Sequence, residues 1–64
     1  MTTMQLLEAH FDEFGIIKSA QNYNGMFTTY VIWTASKPSV DTLSYAAISV
    51  TQMNDDWQVI IQEK

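Results

Sequence analysis

The spacing of apolar residues changes from one segment of the chain to the next, and each change marks an element. Met4, Leu7, Phe11 and Phe14 recur at intervals of three and four, the stripe of one helical face, while Glu8, Ala9, Asp12 and Glu13 fall outside it. This pattern predicts an amphipathic first helix of about three turns. Thr2 followed by Gln5 forms a capping box, with Thr3 as an alternative N-cap, and Gly15 can supply the left-handed residue that ends the helix.

A short mixed segment, Ile16 to Gln21, leads to Asn22-Tyr23-Asn24-Gly25 and then to Met26–Ala35, which is rich in Thr, Tyr, Val, Ile and Trp. Asn-Gly tolerates the positive φ of a tight turn and the flanking residues favour a pleated surface, so this stretch is expected to be a β-hairpin. Its second strand carries Phe27, Thr29, Val31 and Trp33 on one side and Met26, Thr28, Tyr30, Ile32 and Thr34 on the other. Pairing Trp33 with a core set that includes Trp57 leaves Tyr30, Ile32 and Ile60 on the uncovered side, among Thr and Gln.

Ser36-Lys37-Pro38-Ser39 ends the strand, because the residue before proline avoids the helical region while proline itself fits a first helical turn. Val40, Leu43, Ala47 and Val50 then return to helical spacing. They predict a second helix from about Ser39 to Met53, stopping at Asn54-Asp55-Asp56. Trp57, Val59 and Ile61 alternate with Gln58, Ile60 and Gln62, the period of a strand with one buried face.

The expected order is α-β-β-α-β within one domain spanning residues 1–64. This is an α+β two-layer sandwich with a small three-stranded mixed or antiparallel sheet and both helices on one face. If the second and third strands run parallel, the connection between them is a right-handed crossover.

Composition narrows the functional classes. A chain of 64 residues buries only about 60% of the surface that it exposes when unfolded, so stability is marginal and self-association is one way to raise it. There is no cysteine, which removes disulfides and thiolate chemistry and suits a reducing cytoplasm. Met1 to Leu7 carry no Lys or Arg and no continuous apolar run, so no signal peptide or membrane span is expected. Seven Asp and Glu stand against three Lys and no Arg, for a net charge of −4. Phosphate backbones are held mainly by Lys and Arg, so direct nucleic-acid binding is disfavoured, whereas a protein partner with a basic surface is favoured.

His10 lies in the first helix with Glu13 three residues on, but one His and one Glu complete neither a triad nor a closed metal site. Asp12-Glu13 and Asp55-Asp56 are adjacent in sequence and so do not converge on one point. Both glycines stand alone, which excludes a phosphate-cradling loop. The expectation is therefore no catalytic activity, no metal and no cofactor.

What remains is surface. In the predicted second helix Tyr45 and Ile48 lie three apart on the side away from Val40, Leu43, Ala47 and Val50, with Asp41 and Gln52 beside them, a candidate contact patch. Tyr30, Ile32 and Ile60 on the uncovered sheet face form a second candidate. Glu8, Asp12 and Glu13, with Asp41 and Asp55-Asp56, form either an ordinary solvated set or an acidic display that imitates a row of phosphates. An aromatic residue on a sheet face can stack nucleic-acid bases, but Lys18, Lys37 and Lys64 are the whole cationic supply. The sequence thus points to a small acidic module that acts by stoichiometric contact with a protein, of the kind that viruses and mobile elements encode to block a host enzyme or defence complex. The alternative is a homo-oligomeric structural or accessory domain, with a homodimer as its simplest form.

Overall fold

The computed structural model describes residues 2–39 and 47–63. They form one helix, a single 3-10 turn and a four-stranded antiparallel sheet of order β1-β2-β4-β3. The α+β class is as expected, whereas the strand count and the second helix differ from expectation.

Helix α1 spans Thr3–Phe11 and begins on a complete capping box. The Thr2 hydroxyl accepts from the Gln5 N–H at 3.2 Å, and the Thr2 N–H donates to Gln5 Oε1 at 2.8 Å, so two donors that the helix leaves open are satisfied reciprocally. A 3-10 turn over Asp12–Phe14 tightens the end. Gly15 then takes φ 75°, the left-handed region, and donates to the Asp12 carbonyl at 3.1 Å. This reversal starts β1, Ile16–Tyr23, directly beneath the helix. Leu7 and Phe11 are buried and Met4 and Phe14 pack against the same cluster, so the predicted stripe is the packed stripe.

Strand β1 pairs with β2, Thr28–Thr34, across residues 24–27. Asn24 organises this loop: its Oδ1 accepts from the N–H groups of Met26 at 3.0 Å and Phe27 at 2.9 Å. Past β2, the Ala35 and Ser36 N–H groups donate to the Gly15 and Phe14 carbonyls, tying the end of the helical region to the end of the hairpin.

The remaining strands are β3, Ala47–Met53, and β4, Asp56–Glu63. They form a second hairpin whose two turn residues are Asn54 and Asp55, with Asn54 at φ 57°. Asparagine is among the few residues that enter this region readily, which is why the chain reverses here. The helix expected from Ser39 to Met53 is corrected accordingly: residues 40–46 lie outside the described set, and Ala47–Met53 is a strand. The final strand pairs antiparallel with β2, so no parallel crossover joins those two.

The core sits between α1 and the two central strands. Leu7 and Phe11 from the helix cover Tyr30 and Ile32 from β2 and Val59 and Ile61 from β4. The register accounts for this grouping, because Tyr30 stands opposite Ile61 and Ile32 opposite Val59. Thr34 is also fully buried, and its hydroxyl donates to the Ser36 carbonyl at 2.8 Å, so no desolvated donor is stranded.

Candidate functional site: the uncovered sheet face

Directly opposed residues in an antiparallel sheet point to the same face, so the register sorts every strand residue. Thr29, Val31 and Trp33 of β2 oppose Gln62, Ile60 and Gln58 of β4, on the side away from α1. Ser49 and Thr51 of β3 continue this face beyond β4, and Ala20 and Asn22 of β1 continue it beyond β2. Among the described residues no helix packs on it. Val31 and Ile60 meet directly across the central strand pair, with Trp33 two residues along from Val31, and all three are only half-buried.

A β-bulge decides what covers Trp33. The β1–β2 register shifts between Ile16, opposite Thr34, and Lys18, opposite Trp33, leaving Ile17 as the extra residue and 53% exposed. In a regular strand Ile16 and Lys18 would share a face. The inserted residue turns Lys18 to the open side, where its Nζ lies 4.4 Å from the Trp33 ring centroid. Among the described strand residues of this face Lys18 is the one cation, and Asp56, opposite Met53 at the start of β4, is the one carboxylate.

The sequence placed the phase of β2 the other way round. Tyr30 is 5% exposed and Ile32 0%, both within the core, so neither is available to a partner, and Val31 and Trp33 take the uncovered positions. The reason is pairing: Trp33 stands opposite Gln58, whereas Trp57 stands opposite Thr34 on the helix side. Ile60 lies on the uncovered face, as its alternation suggested.

The second candidate patch loses its helical frame. Asp41 and Tyr45 lie outside the described residues, and the backbone of Ile48 is part of β3, opposite Ile61, so the spacing that grouped Tyr45 with Ile48 does not apply. The proposed acidic display also changes. Glu8 is half-buried and accepts a hydrogen bond from the Ser19 hydroxyl at 2.7 Å, which ties α1 to β1 and turns this carboxylate toward the sheet. Asp12 and Glu13 remain exposed in the 3-10 turn, as does Asp55 in the second hairpin.

The chain matches no protein-family model, no curated protein and no solved structure.

His10 is half-buried on α1, with its ring edge against Phe11 at 4.9 Å between centroids. Among the described residues no three His, Cys, Asp or Glu side chains gather as a metal site, and no helix is long and apolar enough to cross a membrane. Trp33 and Val31 were missed as surface residues because both sides of β2 carry large apolar groups. The available signal was the alternation on β4, whose polar partners Gln58 and Gln62 oppose Trp33 and Thr29.

Proposed function

We propose that the protein is a small binding module that acts by contact with another protein, and that its contact surface is the uncovered sheet face centred on Trp33. The observation that carries this reading is the trio Val31, Trp33 and Ile60, contiguous across the two central strands and half-buried with no described element over them. An aromatic anchor beside aliphatic groups, rimmed by hydroxyls and amides such as Thr29, Gln58 and Thr51, has the make-up of an interface centre with a polar rim. The net charge of −4 favours a partner with a basic surface, which the acidic residues around the sheet would steer toward contact. A nucleic-acid ligand fits less well, because among the described residues Lys18 alone offers this face a cation for phosphate.

The test compares proteins retained by the immobilised wild type with those retained by Val31→Asp and by Asp12→Ala, each verified as folded by circular dichroism. A retained protein that survives Asp12→Ala, is lost with Val31→Asp and shifts tryptophan emission on binding supports the reading. Equal retention by wild type and Val31→Asp would show that the open face is not the contact surface.

A further inference from the structure

The chain holds three asparagines in different surroundings. Asn22 lies within β1 opposite Thr29 and precedes Tyr23, and Asn54 precedes Asp55 in the turn of the second hairpin. Asn24 precedes Gly25 in the exposed loop between β1 and β2. In that loop the Asn24 N–H donates to the Phe27 carbonyl at 3.1 Å and the Tyr23 hydroxyl donates to the Gly25 carbonyl at 3.2 Å. Asn24 Oδ1 accepts from two N–H groups, those of Met26 and Phe27, whereas its Nδ2 has no hydrogen-bond partner among the described residues. Gly25 has φ 94°, and beyond its chain neighbours no heavy atom lies within 4 Å of the position that a Cβ would take. The backbone nitrogen that follows Asn24 is therefore uncrowded, and the side-chain carbonyl beside it is held by two donors.

We propose that Asn24 is a self-modification site: it deamidates in the folded chain through a cyclic imide formed with the Gly25 nitrogen, and the loop directs the product to aspartate rather than isoaspartate. Hydroxide from solvent removes the Gly25 N–H proton, and the nitrogen attacks Asn24 Cγ. The Cγ–Nδ2 bond then breaks and Nδ2, protonated by water, leaves as ammonia. Both reacting groups belong to one chain, so no second molecule has to be positioned for ring closure. The negative charge of the tetrahedral intermediate falls on Oδ1, at which the Met26 and Phe27 N–H groups are already aimed. A side chain on the following residue crowds the attacking nitrogen, which protects Asn22 before Tyr23 and Asn54 before Asp55. Water opens the imide in one of two ways, giving its oxygen to carbon and a proton to nitrogen. Addition at Cγ breaks the new Cγ–N bond, restores the peptide and leaves aspartate. Addition at the Asn24 main-chain carbonyl carbon breaks the original C–N bond and reroutes the chain through Cβ and Cγ as isoaspartate. Because the two donors polarise the Cγ carbonyl, they favour the first route. An aspartate carboxylate accepts the same two N–H bonds, so the turn is kept while the net charge of −4 becomes one unit more negative. This site stands independently of the partner contact proposed above.

The unsubstituted chain provides the test. Native and urea-unfolded samples are held in the same mildly alkaline buffer, and peptide mapping by mass spectrometry follows acid formation at each asparagine, with aspartate and isoaspartate peptides separated by chromatography. In the native chain conversion at Asn24 should exceed that at Asn22 or Asn54 by about tenfold or more, within what one preorganised donor at a developing oxyanion contributes. Aspartate should be the major native product at position 24, and isoaspartate the major product in urea, where the donors no longer hold Oδ1. Asn24→Asp should unfold at the same urea midpoint as the unsubstituted chain, since the carboxylate fits the loop. A native chain that keeps Asn24 intact while the unfolded chain converts would overturn the proposal, as would equal conversion at the three asparagines. Equal product ratios in the native and unfolded samples would show that conversion passes through unfolded molecules, and would overturn it as well. A clear fall in midpoint for Asn24→Asp would show that the loop does not accept the carboxylate, which removes the ground for a directed product.

Discussion

Val31 and Ile32 are consecutive β-branched aliphatic residues in the same strand, yet Ile32 is fully buried and Val31 only half so. The same division runs through β4, where Val59 and Ile61 are buried and Ile60 between them is not. Side-chain chemistry does not distinguish the two sides. The difference is a single helix: Leu7 and Phe11 of α1 lie over one face, and no described element lies over the other. In a domain this small, the identity of the core face is thus set by a few side chains from one covering element, and the opposite face keeps apolar groups that no described element encloses.

Removing the cover should have the largest effect. Phe11 is fully buried among the four sheet residues of the core. Phe11→Ala is expected to cost about 3–5 kcal/mol. At about 0.05–0.15 kcal/mol per residue, the whole chain holds only roughly 3–10 kcal/mol, so this one change approaches the limit of folding. Urea unfolding followed by far-ultraviolet circular dichroism should show the midpoint collapse or the cooperative transition vanish. Leu6→Ala provides the control, because Leu6 is 51% exposed on the same helix and its loss should stay within about 0.5 kcal/mol. A mild Phe11→Ala phenotype would mean that α1 is not what separates the two faces.

Truncating the covered and uncovered neighbours gives the next largest contrast. Ile32→Ala should destabilise by about 2–5 kcal/mol through lost burial and a cavity. Val31→Ala, on the half-buried side, should cost only about 1 kcal/mol. Equal losses measured by denaturant unfolding would indicate that the open face is enclosed in solution, as it would be if a tight self-association covered it. Repeating the pair across protein concentrations separates that case, since an enclosing partner copy makes the Val31→Ala loss depend on concentration.

The uneven legibility of the sequence has a physical basis in these same residues. The capping box of Thr2 and Gln5, the stripe from Met4 to Phe14 and the reversal at Gly15 are local features, each satisfied within a few residues, and each occurs where the spacing predicted it. The face of β2 is a non-local property. Tyr30, Val31, Ile32 and Trp33 are all strand formers, so which parity is buried depends on the register with β4 and on the position of α1. Strand β3 was misread because Val40, Leu43, Ala47 and Val50 happen to fall at helical spacing. From Ala47 onward a second signal competes with it. Ile48 and Val50 alternate with Ser49 and Thr51, three of these four are β-branched, and Asn54-Asp55 supplies a two-residue turn before another alternating run. Of the candidate contact residues, Ile60 could be read from its Gln neighbours, while Trp33 and Val31 required the pairing.

The smallest expected effect concerns the cation held over the open face. An exposed ammonium 4.4 Å from the Trp33 centroid should contribute about 0.5–1 kcal/mol beyond the packing of its methylene stem. Lys18→Met keeps most of the stem and removes the charge, and a double-mutant cycle with Trp33→Leu isolates the coupling. A coupling in this range that survives high salt means that Lys18 genuinely shields the ring, as a partial cover on a face the helix does not reach. A coupling near zero means that the ring is left to solvent or to a partner. Either value bears on binding. A side chain held by no more than about 1 kcal/mol can swing off Trp33 at the cost of less than a tenfold loss in affinity. The bulge that delivers Lys18 to this face is therefore compatible with contact at Trp33, and Lys18→Met should strengthen retention of a partner that packs on the bare ring while weakening one that pairs an acidic group with the lysine.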